Sequence, residues 1–299
     1  MPDKTQWEGR SRASTSGYRI FVWLLEHGGI KPAYALLHFV TIYYRLFVPA
    51  AIRPLRYLYR ERLQFSKAET NKLIRKNLLI FGQTLIDKII VLAGIKNPLT
   101  FSHPGIEYLE EMVRKGKGGL LVSAHLGNWE VAGHMLKRLE STINILMYDG
   151  EAEQIKEFME RFDAKRSFNI IYIREDLSHI YEISAALQRN EFVCLHADRF
   201  RPGNRTVKHS FLGEETEFPV GPFVLASKLK APVCFVFAFK ETNFHYRFYA
   251  PYAARTYEGR GMEGATRMLE DYVQLLEQGL KDHPEQWFNY FEFWPNGSA

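Results

Sequence analysis

Along most of the chain the hydrophobic positions keep one of two periods. Leu73, Leu79, Ile80, Leu85, Ile86 and Ile89 recur at helical spacing, which predicts a helix over 65–94 with Ser66 as a candidate cap. After Asn97-Pro98 the pattern changes. Short apolar runs at 120–124, 143–148, 169–173, 192–197 and 233–240 read as strands. Polar-faced stretches at 104–115, 128–140, 151–165, 177–189, 221–229 and 261–280 read as the helices between them. The segment 244–252 is placed to pair antiparallel with 233–240 through a turn at 241–243, and 199–216 reads as loop with a short extended piece. Helices alternating with short apolar strands predict an α/β fold: a mostly parallel mixed sheet flanked by helices, over residues 65–299.

The first 64 residues follow a different pattern. Residues 33–52 form a twenty-residue apolar span interrupted by His38 and Arg45, with Pro49 near its end. Arg53, Arg56, Arg60 and Arg62 follow, interleaved with Leu55, Tyr57, Tyr59 and Leu63. The span meets the length of a membrane helix and strains its composition. Aromatics beside arginines at the end of an apolar run suit the headgroup layer of an anionic membrane. The expectation is a membrane-associated helical segment over 1–64, spanning or interfacial; the plainer alternative is an amphipathic hairpin packed on the soluble domain. The first seventeen residues are polar and lead to no small-residue cleavage site, so a cleavable signal peptide is not expected.

Charge sharpens this division. The net +5 combines 16 Lys and Arg against 6 Asp and Glu in residues 1–100 with 23 against 28 beyond. The basic excess therefore belongs to the apolar N-terminal segment. It is mixed with bulky aliphatics and accompanied by no nucleic-acid motif, which argues against a nucleic-acid partner. The two cysteines, Cys194 and Cys234, sit inside apolar runs and read as core residues of a reducing compartment.

One stretch carries chemistry. Residues 121–134 read LVSAHLGNWEVAGH: an apolar strand ends on His125, turns at Gly127, and reaches Glu130 in the first turn of the next helix. In open α/β sheets ligands sit at the carboxyl ends of strands. A neutral imidazole there accepts a proton near working pH, and a carboxylate on its other nitrogen fixes the tautomer. Free amides at the helix start are candidate oxyanion donors. The spacing alone also fits an ordinary loop histidine, with Glu130 favouring a helix N-terminus. A helical zinc pair is not supported, because His134 lies nine residues beyond His125.

The string His125-Leu126-Gly127-Asn128-Trp129-Glu130 resembles the H-x-G-N-W-E signature of the bacterial lipid A biosynthesis (late, or secondary) acyltransferases, within the H-x₄-D/E glycerolipid acyltransferase superfamily. The likeness continues through Leu195-His196-Ala197-Asp198, Phe211-Leu212-Gly213, Phe218-Pro219-Val220-Gly221-Pro222, Lys230-Ala231-Pro232-Val233 and His283-Pro284-Glu285-Gln286-Trp287-Phe288. The resemblance implies His125 as general base and Glu130 as its orienting partner. The donor would be an acyl thioester on acyl carrier protein or CoA, and the acceptor a lipid hydroxyl or amine. No metal or redox cofactor is implied, and the expected location is the cytoplasmic face of the bacterial inner membrane. The chain departs from the family at Asp198-Arg199, where Asp-Gln is common, and in having His196. Arg161, Arg166 and Arg174 compete for the family's substrate arginine.

The cations after Asp198 suit phosphate or carboxylate groups. Arg205 and Lys208 read as solvated loop. The candidate binding set is Gly127, Asn128, Arg174, Asp198, Arg199, Arg201, Phe218 and Pro219, with Phe218-Pro219 a possible wall of an acyl groove or simply a helix start. The acceptor stays open: a lipid A precursor, an amino-acid lipid or another glycolipid. The alternatives from other classes are a catalytically inactive lipid-binding protein of the same fold and a thioester or lipid hydrolase.

Overall fold

The computed structural model describes residues 15–148 and 168–295. The helix expected at 151–165, with Arg161 and Arg166, lies outside the described residues.

Among the described residues three helices come first: α1 (Thr15–Gly28), α2 (Ile30–Phe47) and α3 (Pro49–Tyr57), the last continued by a widened turn at Leu58–Arg62. The apolar span expected over 33–52 is broken. Val48 precedes Pro49 and is pushed out of helical geometry, at φ −124° and ψ 67°. The chain turns by 85° between α2 and 49–62. No single described helix is long and apolar enough to cross a membrane; this bent pair passes by length and composition only when taken together.

The long helix α4 (Lys67–Ala93) starts as expected at Ser66, whose hydroxyl accepts from Glu69 N–H while the Glu69 carboxylate accepts from Ser66 N–H. Such reciprocal capping is worth about 1 kcal/mol. Then come β1 (Thr100–Ser102), α5 (Ile106–Arg114), β2 (Gly119–Ser123), α6 (Trp129–Met135), β3 (Ile143–Met147) and β4 (Asn169–Tyr172). After these follow α7 (His179–Gln188), β5 (Phe192–His196), β6 (Thr206–Phe211), β7 (Glu214–Pro219), α8 (Gly221–Leu229), β8 (Pro232–Phe235), β9 (Phe237–Thr242), β10 (His245–Tyr249), β11 (Arg255–Thr256) and α9 (Glu263–Asp282).

The fold is mixed α/β, and the strands among the described residues form three sheets rather than the one expected. The largest has the order β11-β8-β2-β5-β3-β4; β8, β2, β5, β3 and β4 run parallel, and β11 is antiparallel at the edge. The apolar run 233–240 divides at Val236: β8 stays in this sheet while β9 crosses to a second, β1-β10-β9. The hairpin expected between 233–240 and 244–252 forms there, as β9 and β10. The segment 199–216, read as mostly loop, instead supplies β6, which pairs antiparallel with β7 over Thr206–Phe211 and Glu214–Pro219.

Alternation along the central strands separates two core layers. Leu120, Val122, Val193, Leu195, Val233 and Phe235 face α9 and α8, with Met268, Leu276 and Phe223. Leu121, Cys234, Ile143 and Ile145 face the opposite way, toward Leu109, Met135 and Ile90. Ile52, Leu55, Leu58 and Tyr59 enter the first layer, and Ile30, Ala33, Tyr34 and Leu37 the second. The N-terminal helices thus share both cores, as the packed-hairpin alternative required. Yet α2 is also apolar outward: Phe39, Ile42, Tyr43, Leu46 and Phe47 are all more than half exposed.

Candidate active site

The site grows from the register of β2 and β5, neighbouring parallel strands at the middle of the large sheet. Ser123 pairs with His196, and two residues beyond each lie Ala197's neighbour Asp198 on one side and His125 on the other. Strand order alone brings them together across 73 residues of chain. One oxygen of Asp198 accepts from His125 Nδ1 at 2.8 Å, and the other accepts from the His125 main-chain N–H at 2.8 Å. The carboxylate therefore grips a single residue at two points, fixing the ring's rotation and placing its proton on Nδ1. The His125 side chain is 16% exposed while that of Asp198 has no exposed surface. Nε2 is left with its lone pair, and no hydrogen-bond partner is seen for it among the described residues.

Burial alone would raise the Asp198 carboxyl. The charge and hydrogen bond of His125, with Arg199 and His196 nearby, outweigh it and hold the group well below the usual carboxylate range. A third donor, Trp287 Nε1–H, reaches Asp198 Oδ2 at 3.2 Å. Phe211 and Phe293 pack edge-on against Trp287, at 5.8 and 5.1 Å between ring centroids.

The loop after β2 is clamped by main-chain bonds. Gly127 N–H donates to Gln286 O at 2.9 Å, Asn128 N–H to Ala238 O at 2.8 Å, and Phe288 N–H to His125 O at 2.9 Å. Gly127 has φ +80°, and a Cβ there would stand 2.2 Å from the Ala238 carbonyl oxygen, so only glycine fits. Asn128 is fully buried. Its Oδ1 caps α6 by accepting from Val131 N–H, and its Nδ2 donates to Thr84 O and the Tyr246 hydroxyl. Its amide thus serves the loop's own fixation. The closing Glu285-Gln286-Trp287 motif has the same work: Gln286 donates to Lys240 O and accepts from Lys240 N–H.

The oxyanion expectation changes accordingly. The amides of His125, Gly127, Asn128 and Val131 are all taken by protein acceptors, so they are not free to hold a substrate oxygen. Glu130 follows Trp129 in the first turn of α6, as expected, but its side chain lies outside the described residues. The position on His125 Nδ1 that an orienting carboxylate must take is held by Asp198.

The remaining candidates scatter. Arg199 donates to Phe288 O at 2.6 Å and lies over the Phe291 ring, tying the site to the C-terminal tail. Arg201 stacks on Tyr148 at 3.8 Å. Arg174 is exposed, beside Ser178, which precedes α7, and Glu182 in its first turn. Phe218 is buried edge-on to Phe211, Phe293 and Tyr272, and Pro219 is buried at the end of β7; both pack the core rather than line an open groove. Cys234 is a core thiol and Cys194 is partly buried against the same layer; burial pushes both up to about 12.

Sequence reasoning gave Asp198 no role toward His125 and missed the contribution of Trp287. The available signal was a pair of all-apolar runs, each ending on an ionisable side chain. It also passed over a buried ionic centre behind the loop. Asp87 accepts from Lys240 Nζ at 2.6 Å and from the hydroxyls of Tyr34 and Tyr246 at 2.5 Å each. Burial pushes Asp87 up and Lys240 down, against their mutual attraction. The centre joins α2, α4, β9 and β10 to Asn128.

Comparison with known proteins gives the family. The family model for bacterial lipid A biosynthesis acyltransferases matches residues 61–294. The chain belongs to that family. Similar characterised proteins are the phosphatidylinositol mannoside acyltransferases of two strains of Mycobacterium tuberculosis, 30% and 29% identical over 125 residues. Each match covers 41% of this chain and 39% of the relative, so the chain spans about two fifths of the length of the relatives it matches.

Proposed function

We propose that the protein transfers a fatty acyl chain from a thioester donor, acyl carrier protein or acyl-CoA, to a hydroxyl or amine of a membrane lipid. The observation that carries this reading is the hydrogen bond from His125 Nδ1 to the buried Asp198 carboxylate. It leaves Nε2 as a general base with its tautomer fixed. Nε2 takes the acceptor's proton as the acceptor oxygen or nitrogen bonds to the thioester carbon. The tetrahedral intermediate collapses by breaking the C–S bond, and the imidazolium returns its proton to the departing thiolate. Asp198 stabilises the imidazolium while it exists. We assign the orienting role to Asp198 rather than Glu130.

The mannoside in the relatives' name favours a sugar hydroxyl of a glycolipid as acceptor. The outward apolar stripe of α2, beside the exposed Arg53, Arg56 and Arg60, supports contact with an anionic membrane surface, in a bacterium the cytoplasmic face of the inner membrane.

The test incubates the detergent-purified protein and its His125→Ala variant with acyl carrier protein and CoA thioesters and a bacterial lipid extract. Mass spectrometry then seeks lipids heavier by one acyl chain. A new lipid formed only with the histidine intact supports transfer and identifies the acceptor. Free fatty acid without a new lipid would make the protein a hydrolase; neither product, with lipid still bound, would make it a lipid-binding protein.

A further inference from the structure

His196 is the last residue of β5 and stands beside His125, its ring centroid 4.4 Å away with the planes inclined at 54°. Trp129 meets the ring edge-on at 5.2 Å from the other side. Two aromatic neighbours thus hold the imidazole in place, yet neither of its nitrogens has a hydrogen-bond partner among the described residues. The ring is only partly covered. Around it, the carboxylate of Asp198, the side-chain amide of Asn128 and Nδ1 of His125 are all engaged with protein, which leaves His125 Nε2 and the His196 ring nitrogens.

Acyl transfer needs a donor that this loop does not readily supply. As the acceptor attacks, the thioester carbonyl oxygen becomes an oxyanion and must be met by a donor about 3 Å away. The amides that a helix start would offer are largely occupied, those of Gly127, Asn128 and Val131 included. The entering atom and the oxyanion are bonded to one tetrahedral carbon, only two bonds apart. A base touching the first and a donor touching the second must therefore stand side by side, as the His125 and His196 rings do.

We propose that His196 donates the hydrogen bond that polarises the donor's acyl carbonyl and holds its oxygen through the tetrahedral intermediate. This rests on the acyl-transfer reading above and adds a second catalytic residue to it. Burial, and then the neighbouring His125, push the His196 pKa well below the ordinary histidine range, so the ring is neutral at working pH. A neutral imidazole carries one N–H and one lone pair. It holds an oxyanion by hydrogen bond without surrendering a proton, so the proton inventory of the reaction stays with His125.

The experiment compares His196→Phe, His196→Gln and His125→Ala with wild type in the lipid acylation assay, at saturating donor and varied acceptor. Circular dichroism and melting temperature confirm that each variant is folded. His196→Phe, which keeps a ring and loses the donor, is expected to lower kcat about 10²–10³-fold with the acceptor KM little changed. His196→Gln restores an N–H donor and is expected to recover part of that loss. A His196→Phe enzyme with wild-type kcat, while His125→Ala is dead, would overturn the proposal and return the role to the amides of Trp129 and Glu130. Equal loss in the Phe and Gln variants would also overturn it, by making the residue a packing element. Wild-type acylation by His125→Ala as well would instead remove His125 as the base, and no acylated lipid from the wild type would remove the acyl-transfer reading itself.

Discussion

The indole N–H of Trp287 donates to Oδ2 of Asp198 at 3.2 Å, across 89 residues of chain. The same oxygen accepts the His125 main-chain N–H. A side chain from the closing motif therefore helps decide where the carboxylate beneath His125 points. Trp287→Phe keeps most of the packing against Phe211 and Phe293 and removes only this donor. A hydrogen bond to a charged group contributes about 1.5–3 kcal/mol. The expected result is a fall in kcat of roughly tenfold or more with the fold retained, measured by the acylation assay beside a melting curve.

Asp198 and Glu130 make opposite predictions from one assay. Asp198→Asn is nearly isosteric but presents an amide that fails to fix the Nδ1–H tautomer, so kcat should fall about 10³–10⁴-fold, as in hydrolase triads. Glu130→Gln should stay within about tenfold of wild type, since Nδ1 already has its carboxylate. The reverse order of severity would give the orienting role back to Glu130.

This pair also marks how far the sequence could be read. Strand β2 was legible because five buried residues in a row leave few alternatives, and α4 because the Ser66–Glu69 cap is local. The partner of His125 was not legible. Glu130 is near in sequence, whereas Asp198 becomes near only once β5 pairs with β2 in the Ser123–His196 register. Nothing in either run encodes that neighbour order. The split of 233–240 at Val236 failed for a related reason: an apolar strand looks the same whether it stays in one sheet or crosses to another. Lys240, at the end of that run, carried no sequence signal of its partner, and its ammonium is buried against Asp87.

That buried pair yields a stability prediction. Lys240→Met leaves the Asp87 carboxylate uncompensated in the core, and removing one partner of a buried pair costs about 3–5 kcal/mol. The double variant Asp87→Leu with Lys240→Met should recover much of the loss, because neither charge then remains. Urea unfolding of the wild type and both variants checks the order. Equal destabilisation by single and double variants would show that the tyrosine hydroxyls, rather than the ion pair, hold the centre.

His196 gives stability a pH dependence of known sign. Its folded pKa is depressed by burial and by His125, and the ring faces Trp129, Asp198 and Arg199 as well. A depressed folded pKa means that the unfolded chain binds the proton more readily. The contribution is complete above the unfolded pKa of about 6.5 and is lost progressively as pH falls below it. Between pH 7 and 5 the wild type should lose more unfolding free energy than His196→Gln. Parallel curves for the two proteins would show that the ring is as easily protonated folded as unfolded.

The outward face of α2 gives the remaining prediction. Phe39, Ile42, Tyr43, Leu46 and Phe47 repeat at helical spacing and are exposed, Phe39 at 71% and Leu46 at 66%, while Ile30, Tyr34 and Leu37 bury the other face. Neither residue has a role in the core, so Phe39→Glu and Leu46→Glu should leave the fold and its melting temperature unchanged. If the stripe enters a lipid surface, each substitution removes burial worth about 1.5–3 kcal/mol for a side chain of this size. It also adds a charge that anionic lipid repels. Sedimentation with anionic vesicles should show binding weakened at least tenfold per substitution, while activity on acceptor dispersed in detergent is kept. Unchanged vesicle binding by both variants would place the membrane contact elsewhere on the protein, and the arginines that follow α2 would be the next residues to neutralise.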